Sequence, residues 1–225
     1  MIDIHALEFR NLTIPDMHIP PGHIAVIGPN GSGKTTFLRL LAGLLEPSCG
    51  TITMDGRDIG QIETGFVNEF PDRNILFYRV EDEIAGPLRF RGVSCSETRR
   101  RVDEIVAGAG LSKLVSRISK QLSGGEKTLI ALLTAVISSP RILILDEFDS
   151  HLDQESISLA MELIRHSGAE YVIQCTQNME LAACCAQVLF LSDKGLELAG
   201  TPEEVFSQLH ETCFYPVLWR MRDGT

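Results

Sequence analysis

The stretch IAVIGPNGSGKTTFLRLLAGL, Ile24–Leu44, changes character twice within 21 residues. It opens with a β-branched apolar run, which is typical of a buried strand. It then passes through a segment rich in glycine and ends with Phe37, Leu38 and Leu41 at the spacing of one helix face. The stretch therefore predicts a strand, a glycine turn and a helix, in that order.

The glycine turn matches the pattern G-x-x-x-x-G-K-[ST]. A triphosphate is a chain of charged oxygens, and only a backbone without bulky side chains can wrap it with successive N–H groups. In this pattern Lys34 reaches the β and γ phosphates and Thr35 offers its hydroxyl to Mg²⁺. The predicted nucleotide-binding residues are Gly28, Pro29, Asn30, Gly31, Ser32, Gly33, Lys34, Thr35 and Thr36.

A second apolar run, RILILDE, ends in two acidic residues. A nucleotide site of this kind needs a carboxylate for the metal, and Asp146 at the end of the predicted strand is the candidate. Glu147 follows it directly and is the candidate general base for an attacking water.

Composition excludes several classes of protein. The net charge is −10 without a long basic run, so nucleic acid is not an expected partner. The longest apolar stretch, Leu129–Ile137, is about half of the roughly 20 residues that span a bilayer, so no membrane insertion is expected. The N-terminal segment lacks the features of a secretory signal, which predicts a cytoplasmic protein. The six cysteines lack a C-x-x-C pair and are expected to be small buried hydrophobes.

Strand-like and helix-like segments alternate along the rest of the chain. Apolar alternation or continuous apolar runs predict strands in IDIHALEF, GTITMDG, TGFVNEF, EYVIQCT and QVLFLSD. Helical spacing is found in SETRRRVDEIVAGAGL, with Ser94 or Ser96 as its cap, in EKTLIALLTAVIS and in DQESISLAMELIRHS. This alternation predicts an α/β fold with a parallel sheet covered on both faces.

The string LSGGE, Leu122–Glu126, and the string SHLD, Ser150–Asp153, lie on either side of the acidic strand. In this order, with the glycine turn upstream, these strings resemble motifs of the ATP-binding cassette (ABC) ATPases. The resemblance of the chain to that family runs from about Ile4 to Phe206. The resemblance implies a P-loop NTPase fold with a mostly parallel central sheet flanked by helices, an N-terminal antiparallel β portion and a small α-helical subdomain. It implies one domain, 1–225, with a core of about 1–75 and 138–225 and the helical subdomain at about 76–137.

ABC domains pair head to tail around ATP, so the resemblance implies a second ABC ATPase subunit as partner, either a second copy or a different chain. The signature residues that would contact the partner's nucleotide are Leu122, Ser123, Gly124, Gly125 and Glu126. The corresponding D-loop residues are Ser150, Leu152 and Asp153. The implied activity is ATP hydrolysis with ATP and Mg²⁺ as cofactors, with Glu147 as base.

Two further segments of the sequence indicate which subfamily of ABC ATPases the chain resembles. Gly65–Leu88 and GTPEEVF, Gly200–Phe206, are similar to segments of energy-coupling-factor and cobalt or nickel importer ATPases. This implies import of a metal ion or vitamin through separate integral membrane subunits, with the chain peripheral on the inner face of the cell membrane. The aromatic tail after Cys213 is expected to pack on the domain rather than to form a partner site.

Three family positions differ in this chain. Glu69 stands where a glutamine contacts metal and water, and Gln177 stands where a histidine is expected. Glu69 can still bind Mg²⁺, and Gln177 can hydrogen-bond a phosphate without relaying a proton. The loop LTIPDMHIPPG lacks the aromatic that stacks on adenine. Two interpretations stay open: a working ATPase with a modified site, or a slow half-site paired with an intact partner.

A rival class is a soluble ABC ATPase that is not tied to transport. The sequence has neither the long insertions of DNA-repair cassettes nor the second cassette of translation factors. Compact Fe–S assembly ATPases are harder to separate from the importer type, and only the segment Gly65–Leu88 disfavours them.

Overall fold

A computed structural model of the chain describes residues 1–223, so the last two residues of the predicted domain lie outside it. The strands are β1 (Ile2–Phe9), β2 (Leu12–Ile14), β3 (Met17–Ile19), β4 (Gly22–Ile27), β5 (Cys49–Met54), β6 (Arg57–Asp58), β7 (Thr64–Val67), β8 (Ile142–Asp146), β9 (Tyr171–Cys175), β10 (Gln187–Ser192) and β11 (Gly195–Gly200). The helices are α1 (Lys34–Leu41), α2 (Val80–Phe90), α3 (Cys95–Gly108), α4 (Ser112–Val115), α5 (Gly124–Val136), α6 (Gln154–His166), α7 (Met179–Ala183), α8 (Pro202–Gln208) and α9 (Val217–Asp223).

The chain folds into two compact units. The first contains Met1–Glu63 and the chain from Glu170 onward, and the second contains Thr64–Ala169. The helical segment expected at 76–137 lies inside the second unit. The finer division into a core and an inserted helical subdomain stays a prediction.

An antiparallel sheet is built around β1 in the first unit. β1 pairs antiparallel with β2, β3 and β5, and β6 pairs with the far side of β5. Apolar side chains alternate along β1, and Ile2, Ile4 and Leu7 are buried. This sheet is the N-terminal antiparallel portion that the family resemblance implied.

A second sheet of the first unit runs in the order β11-β10-β4-β9. β10, β4 and β9 are parallel, and β11 pairs antiparallel with β10. Ile24–Ile27 and the whole of Tyr171–Cys175 are buried, as expected for parallel strands covered on both faces. Because the strands are parallel, the segments that follow β4 and β9 leave the sheet at the same edge.

Helices of the C-terminal part cover one face of this sheet. Phe206 of α8 is fully buried in a cluster with Val188 and Phe190 of β10. Trp219 of α9 packs edge-on against Phe206, with ring centroids 5.5 Å apart. The expectation that the aromatic tail packs on its own domain agrees with these contacts.

The second unit combines the parallel pair β7 and β8 with a helical cluster. Ile84 of α2, Val102 of α3 and Ile130 of α5 share a buried apolar core. α3 begins where the sequence indicated, because the Ser94 hydroxyl accepts a hydrogen bond of 3.3 Å from the Glu97 amide.

The structure corrects the expectation for the cysteines. Cys175 and Cys185 are buried, whereas Cys49, Cys95, Cys184 and Cys213 are exposed, and all six are free thiols. The exposed four lie at element ends or in turns, where local apolar neighbours in sequence do not produce burial. None of the described helices is long and apolar enough to cross a membrane.

Candidate functional site

The loop between β4 and α1 turns sharply because its glycines adopt left-handed backbone angles. Gly28 has φ +143° and Gly33, which caps α1, has φ +94°. A Cβ atom on Gly28 would lie 1.9 Å from the Leu191 carbonyl oxygen. The loop therefore leads directly to the N-terminus of α1, whose first amides have no helical partner and favour an anion.

Lys34 is held against this loop. Its side chain is buried, with 6% of the residue exposed, and its Nζ donates hydrogen bonds to the carbonyl oxygens of Gly28 at 2.9 Å and Pro29 at 3.1 Å. A buried ammonium is costly unless it is paired with opposite charge. Two neutral carbonyls satisfy its donors only in part, so this environment favours an additional anion.

Ser32 supplies a second indication of a ligand. Its Oγ is buried and has no hydrogen-bond partner among the described residues. A buried polar atom without a partner is destabilising in a folded protein unless a ligand or water completes it. The loop thus offers an ammonium and a hydroxyl to one anionic group, which fits a phosphate.

Gln177 meets the same loop. It follows β9, and its Nε2 donates to the Asn30 Oδ1 at 3.4 Å. The next residue, Asn178, caps α7 by accepting from the amides of Glu180 and Leu181. The position of Gln177 is therefore fixed from both sides, by a buried strand and by a capped helix. The structure thus brings Gln177 to the loop.

A cavity of 320 Å³ lies beside the loop. Its wall contains Gly31–Gly33 of the loop and Thr36 of the first turn of α1. The opposite wall is formed by residues 9–12, where β1 turns into β2, and by Asp193 between β10 and β11. All of these residues belong to the first unit. The cavity extends the phosphate-binding loop toward the antiparallel sheet.

The two acids of the second unit end the buried strand β8. Asp146 is 2% exposed, and Glu147 is half-buried with φ +43°. A left-handed backbone is unfavourable for a residue other than glycine, and such strain concentrates at functional sites. The turn after the strand therefore separates the two carboxylates into different environments, although they are adjacent in sequence.

The signature residues form the N-terminus of α5. The Ser123 Oγ accepts from the Glu126 amide at 3.1 Å, and the Glu126 Oε2 accepts from the Ser123 amide at 2.8 Å. This reciprocal pair is a capping box. Gly124 is exposed, and a Cβ built on it meets nothing within 4 Å. Leu122 is buried in the helical core and anchors the turn.

The D-loop lies beside the signature in the second unit. A Cβ on Gly125 would be 3.3 Å from the His151 carbonyl oxygen and 3.6 Å from a methyl group of Leu152. Ser150 is exposed and donates its amide to the Glu147 carbonyl oxygen at 3.1 Å. Within this unit, the D-loop therefore connects the acidic pair to the signature.

Asp153, the last of the predicted D-loop residues, caps α6. It accepts a hydrogen bond from the Ser156 amide at 2.8 Å, and this bond lowers the pKa of the Asp153 carboxyl. Its structural role in the described chain is that of a helix cap, which sequence reasoning did not assign.

Glu69 is half-buried in the segment that follows β7. The adjacent Asn68 is held by Asn74, whose Oδ1 accepts from the Asn68 amide at 2.8 Å and whose Nδ2 donates to the Asn68 carbonyl oxygen at 3.0 Å. Asn74 was missed by sequence analysis because a lone asparagine in a loop carries no pattern. Its two bonds close the loop that carries Glu69.

The predicted residues are thus distributed between the units. The phosphate-binding loop and Gln177 belong to the first unit, and Glu69, the signature, the acidic pair and the D-loop belong to the second. Phe9 and Arg10 in the wall of the cavity were not among the predicted site residues. The signal was present, because both lie just before the loop LTIPDMHIPPG, where a stacking aromatic is expected.

The chain is similar to known proteins over most of its length. The family model described as ABC transporter matches residues 12–150. The energy-coupling factor transporter ATP-binding protein EcfA1 of Lactiplantibacillus plantarum is 34% identical over 227 residues, covering 92% of this chain and 80% of the relative. The protein of the same name from Streptococcus pyogenes serotype M1 is 33% identical, covering 85% and 72% respectively.

Solved structures show the same fold. CbiO1 of Clostridium perfringens, described as part of the ABC transporter complex cbiONQ, superposes with a TM-score of 0.80 at 25% identity, covering 92% of this chain and 90% of that one. The ATP-binding cassette MJ0796, solved as a dimer in a post-hydrolysis state with ADP and phosphate, gives a TM-score of 0.80 at 21% identity, covering 90% and 99%. With its family model matched over more than half of its length, the chain belongs to the ABC transporter ATP-binding family.

Proposed function

We propose that the chain is the ATP-binding and ATP-hydrolysing subunit of an importer, and that it works as one member of a cassette pair attached to membrane subunits. The observation that carries the proposal is the environment of Lys34. Its buried ammonium is held only by two loop carbonyls, and the buried Ser32 hydroxyl in the same loop has no partner among the described residues. A triphosphate completes both groups.

The donor set also fits a magnesium ion. Mg²⁺ prefers carboxylate and hydroxyl oxygens, and we assign Thr35, Asp146 and Glu69 to it. When bound, the ion neutralises charge that develops on the phosphate oxygens. Glu69 carries a full negative charge where the family has a neutral glutamine, so its contribution depends on the metal to offset repulsion from phosphate.

Glu147 is proposed as the general base. It accepts a proton from the attacking water, and its left-handed backbone is the kind of strain that concentrates at functional sites. Gln177 is proposed to donate its amide to the γ phosphate, in the place now occupied by its bond to Asn30. Because an amide does not change charge, Gln177 orients the phosphate and leaves proton transfer to Glu147.

The signature is proposed to contact ATP bound by a partner cassette. α5 has 13 residues, and its N-terminal Ser123, Gly124 and Gly125 offer amides to an anion. Leu122 and Glu126 hold this turn in place, and Leu152 lies beside Gly125. Ser150 and Asp153 are proposed as the other D-loop residues that face the partner. The relatives' names refer to transporter complexes, and the solved cassette MJ0796 is a dimer, which supports this assembly.

A membrane partner is proposed for the loop of the second unit that precedes α2. This loop exposes 79% of Leu76 and 65% of Tyr78, which is unusual for large apolar side chains on a soluble surface. Two half-buried hydrogen bonds from the Leu76 and Phe77 amides to the Glu83 Oε2, at 2.7 and 2.6 Å, hold the loop in this conformation. The chain would then lie on the inner face of the membrane without entering it.

The experiment measures Mg-ATP binding by calorimetry and phosphate release by the full chain together with its co-purified partner. Lys34→Ala is expected to abolish binding, and Glu147→Gln to preserve binding and reduce turnover by at least about 100-fold. Lys194→Ala, an exposed change in the β10–β11 turn, is the matched control for loss of one positive charge. Unchanged ATP binding in Lys34→Ala would refute the proposal.

The second candidate is a slow half-site in a heterodimer, and the specific observation that favours it is the pair of changes at Glu69 and Gln177. In that case Glu147→Gln in this chain leaves turnover of the mixed complex unchanged, because the partner's site carries it. A soluble ABC ATPase not tied to transport remains the alternative class. It predicts that no integral membrane subunit co-purifies with the chain.

A further inference from the structure

An ion pair between Asp72 and Lys127 joins the loop that carries Glu69 to the helix that carries the signature, within the second unit. We propose that these two residues are positioning residues for ATP hydrolysis, and that their pair holds the signature turn at a fixed place relative to Glu69. In the proposed function Glu69 serves the nucleotide site of this chain, and the signature serves the site of the partner. The inference rests on that function and assigns to the pair the linkage between the two sites.

Asp72 moves together with Glu69 because one closed loop contains both. Asp72 lies in the 3₁₀ turn Pro71–Arg73, whose first residue is a buried proline. The Asn74 side chain accepts from the Asn68 amide and donates to the Asn68 carbonyl oxygen, which closes the loop around both acids. A displacement of the Asp72 carboxylate therefore displaces the backbone of Glu69 as well.

Lys127 is attached just as directly to the signature. It lies in the first turn of α5, and its amide donates to the Ser123 carbonyl oxygen at 2.9 Å. Glu126, the residue before it, forms the capping box with Ser123. The Lys127 Nζ donates to the Asp72 Oδ1 at 2.5 Å. A chain of contacts thus runs from Glu69 to Ser123 through this ion pair.

The exposure of the two side chains indicates that the pair acts on geometry more than on stability. The Lys127 side chain is 16% exposed and the Asp72 side chain is 85% exposed. An ion pair with one well-solvated partner adds little to the free energy of unfolding. A mostly buried ammonium is nevertheless costly without a counter-charge, so the pair favours the one arrangement in which Asp72 is within reach of Lys127.

The test is a double-mutant cycle on the full chain with its co-purified partner. Asp72→Asn and Lys127→Gln are each expected to reduce the maximal rate of phosphate release about tenfold, because small errors in placement lower the rate. The Mg-ATP concentration at half-maximal rate is expected to change by less than about twofold. The double variant Asp72→Asn/Lys127→Gln is expected to lose no more than either single variant, since each change alone already breaks the pair. Lys127→Arg, which keeps the charge, is expected to retain most of the rate.

Lys113→Gln is the matched control, because Lys113 is an exposed lysine of α4 in the same unit, and its rate is expected to equal that of the unaltered chain. Thermal midpoints of Asp72→Asn and Lys127→Gln are expected to fall by less than about 4 °C. A rate that falls only in step with the thermal midpoint would show a purely structural contact and overturn the inference.

Two other outcomes would also overturn it. A full rate in Asp72→Asn with a loss in Lys127→Gln would show that the ammonium attracts phosphate directly and needs no partner. Additive losses in the double variant would show that the two residues act independently. Failure of the proposed function looks different, because Lys34→Ala then binds Mg-ATP as the unaltered chain does.

Discussion

At Gly28 two separate constraints act on one residue: a left-handed backbone and a close approach to the β10 chain. We expect Gly28→Ala to lower the free energy of unfolding by about 2–4 kcal/mol, because the added Cβ meets the Leu191 carbonyl. Gly31→Ala is the control, since Gly31 has φ +84° but nothing within 4 Å of its Cβ. We expect it to cost only about 1 kcal/mol.

Urea unfolding followed by circular dichroism measures both variants. Equal losses for the two glycine variants would show that backbone conformation alone matters at Gly28, and that the approach to β10 relaxes at no cost.

His23 makes the free energy of unfolding of the first unit depend on pH. Burial lowers the pKa of His23 below its ordinary value of 6.5, and the hydrogen bond with Gln174 offsets this only in part. Because the folded-state pKa is the lower one, the neutral histidine stabilises the fold above about pH 6.5, and this contribution is lost as the pH falls. We expect His23→Gln to flatten the decline in the urea midpoint between pH 7.5 and 5.5. A decline as steep as that of the unaltered chain would contradict the assignment.

Helix caps of the same kind allow structural and functional effects to be separated. Ser123 caps α5 and Thr201 caps α8, each in a capping box with a glutamate three residues later. We expect Ser123→Ala and Thr201→Ala each to lower the free energy of unfolding by about 1 kcal/mol. Only Ser123→Ala is expected to reduce ATP turnover of the assembled cassettes, by about tenfold or more, because only Ser123 is proposed to contact nucleotide.

Thermal melts and phosphate release measure the two quantities on the same preparations. If both variants lose turnover in proportion to stability, Ser123 has no role beyond capping.

The elements that sequence analysis predicted are those with a strong local signal. β4 and β8 each contain an uninterrupted apolar run of four residues, and α3 begins after a serine that is followed by a helical pattern. β6 has two residues, which is too short for any periodicity to show. α2 contains Pro87 in its interior, and tertiary packing of Ile84 and Leu88 in the helical core overrides that breaker.

The residues of the candidate site also divide into those with a strong local signal in the sequence and those without one. The phosphate-binding loop, the acidic pair and the signature have fixed spacing in the sequence, so sequence analysis could name them as candidates. The cavity beside the loop was missed, because Arg10 and Asp193 are far apart in sequence and line one cavity only in the folded chain. Contacts of this kind depend on the three-dimensional fold, and no local sequence pattern specifies them.

At the scale of the whole molecule, net charge bears on the choice between a pair of identical chains and a mixed pair. Each chain carries a net charge of −10, so two copies repel each other at long range. Added salt screens this repulsion, because the Debye length falls from about 30 Å at 0.01 M to about 10 Å at 0.1 M. We therefore expect ATP-dependent self-association of the Glu147→Gln variant to strengthen between these salt concentrations.

Sedimentation in the presence of Mg-ATP measures this dimer, and the Lys34→Ala/Glu147→Gln double variant is the control that should stay monomeric at both salt concentrations. A dimer that weakens as salt is added would show that short-range charge complementarity outweighs the net repulsion. Absence of any self-association, together with a complex that forms only with a co-purified cassette, would favour the mixed pair. In that pair the altered positions Glu69 and Gln177 would belong to the slower of the two nucleotide sites.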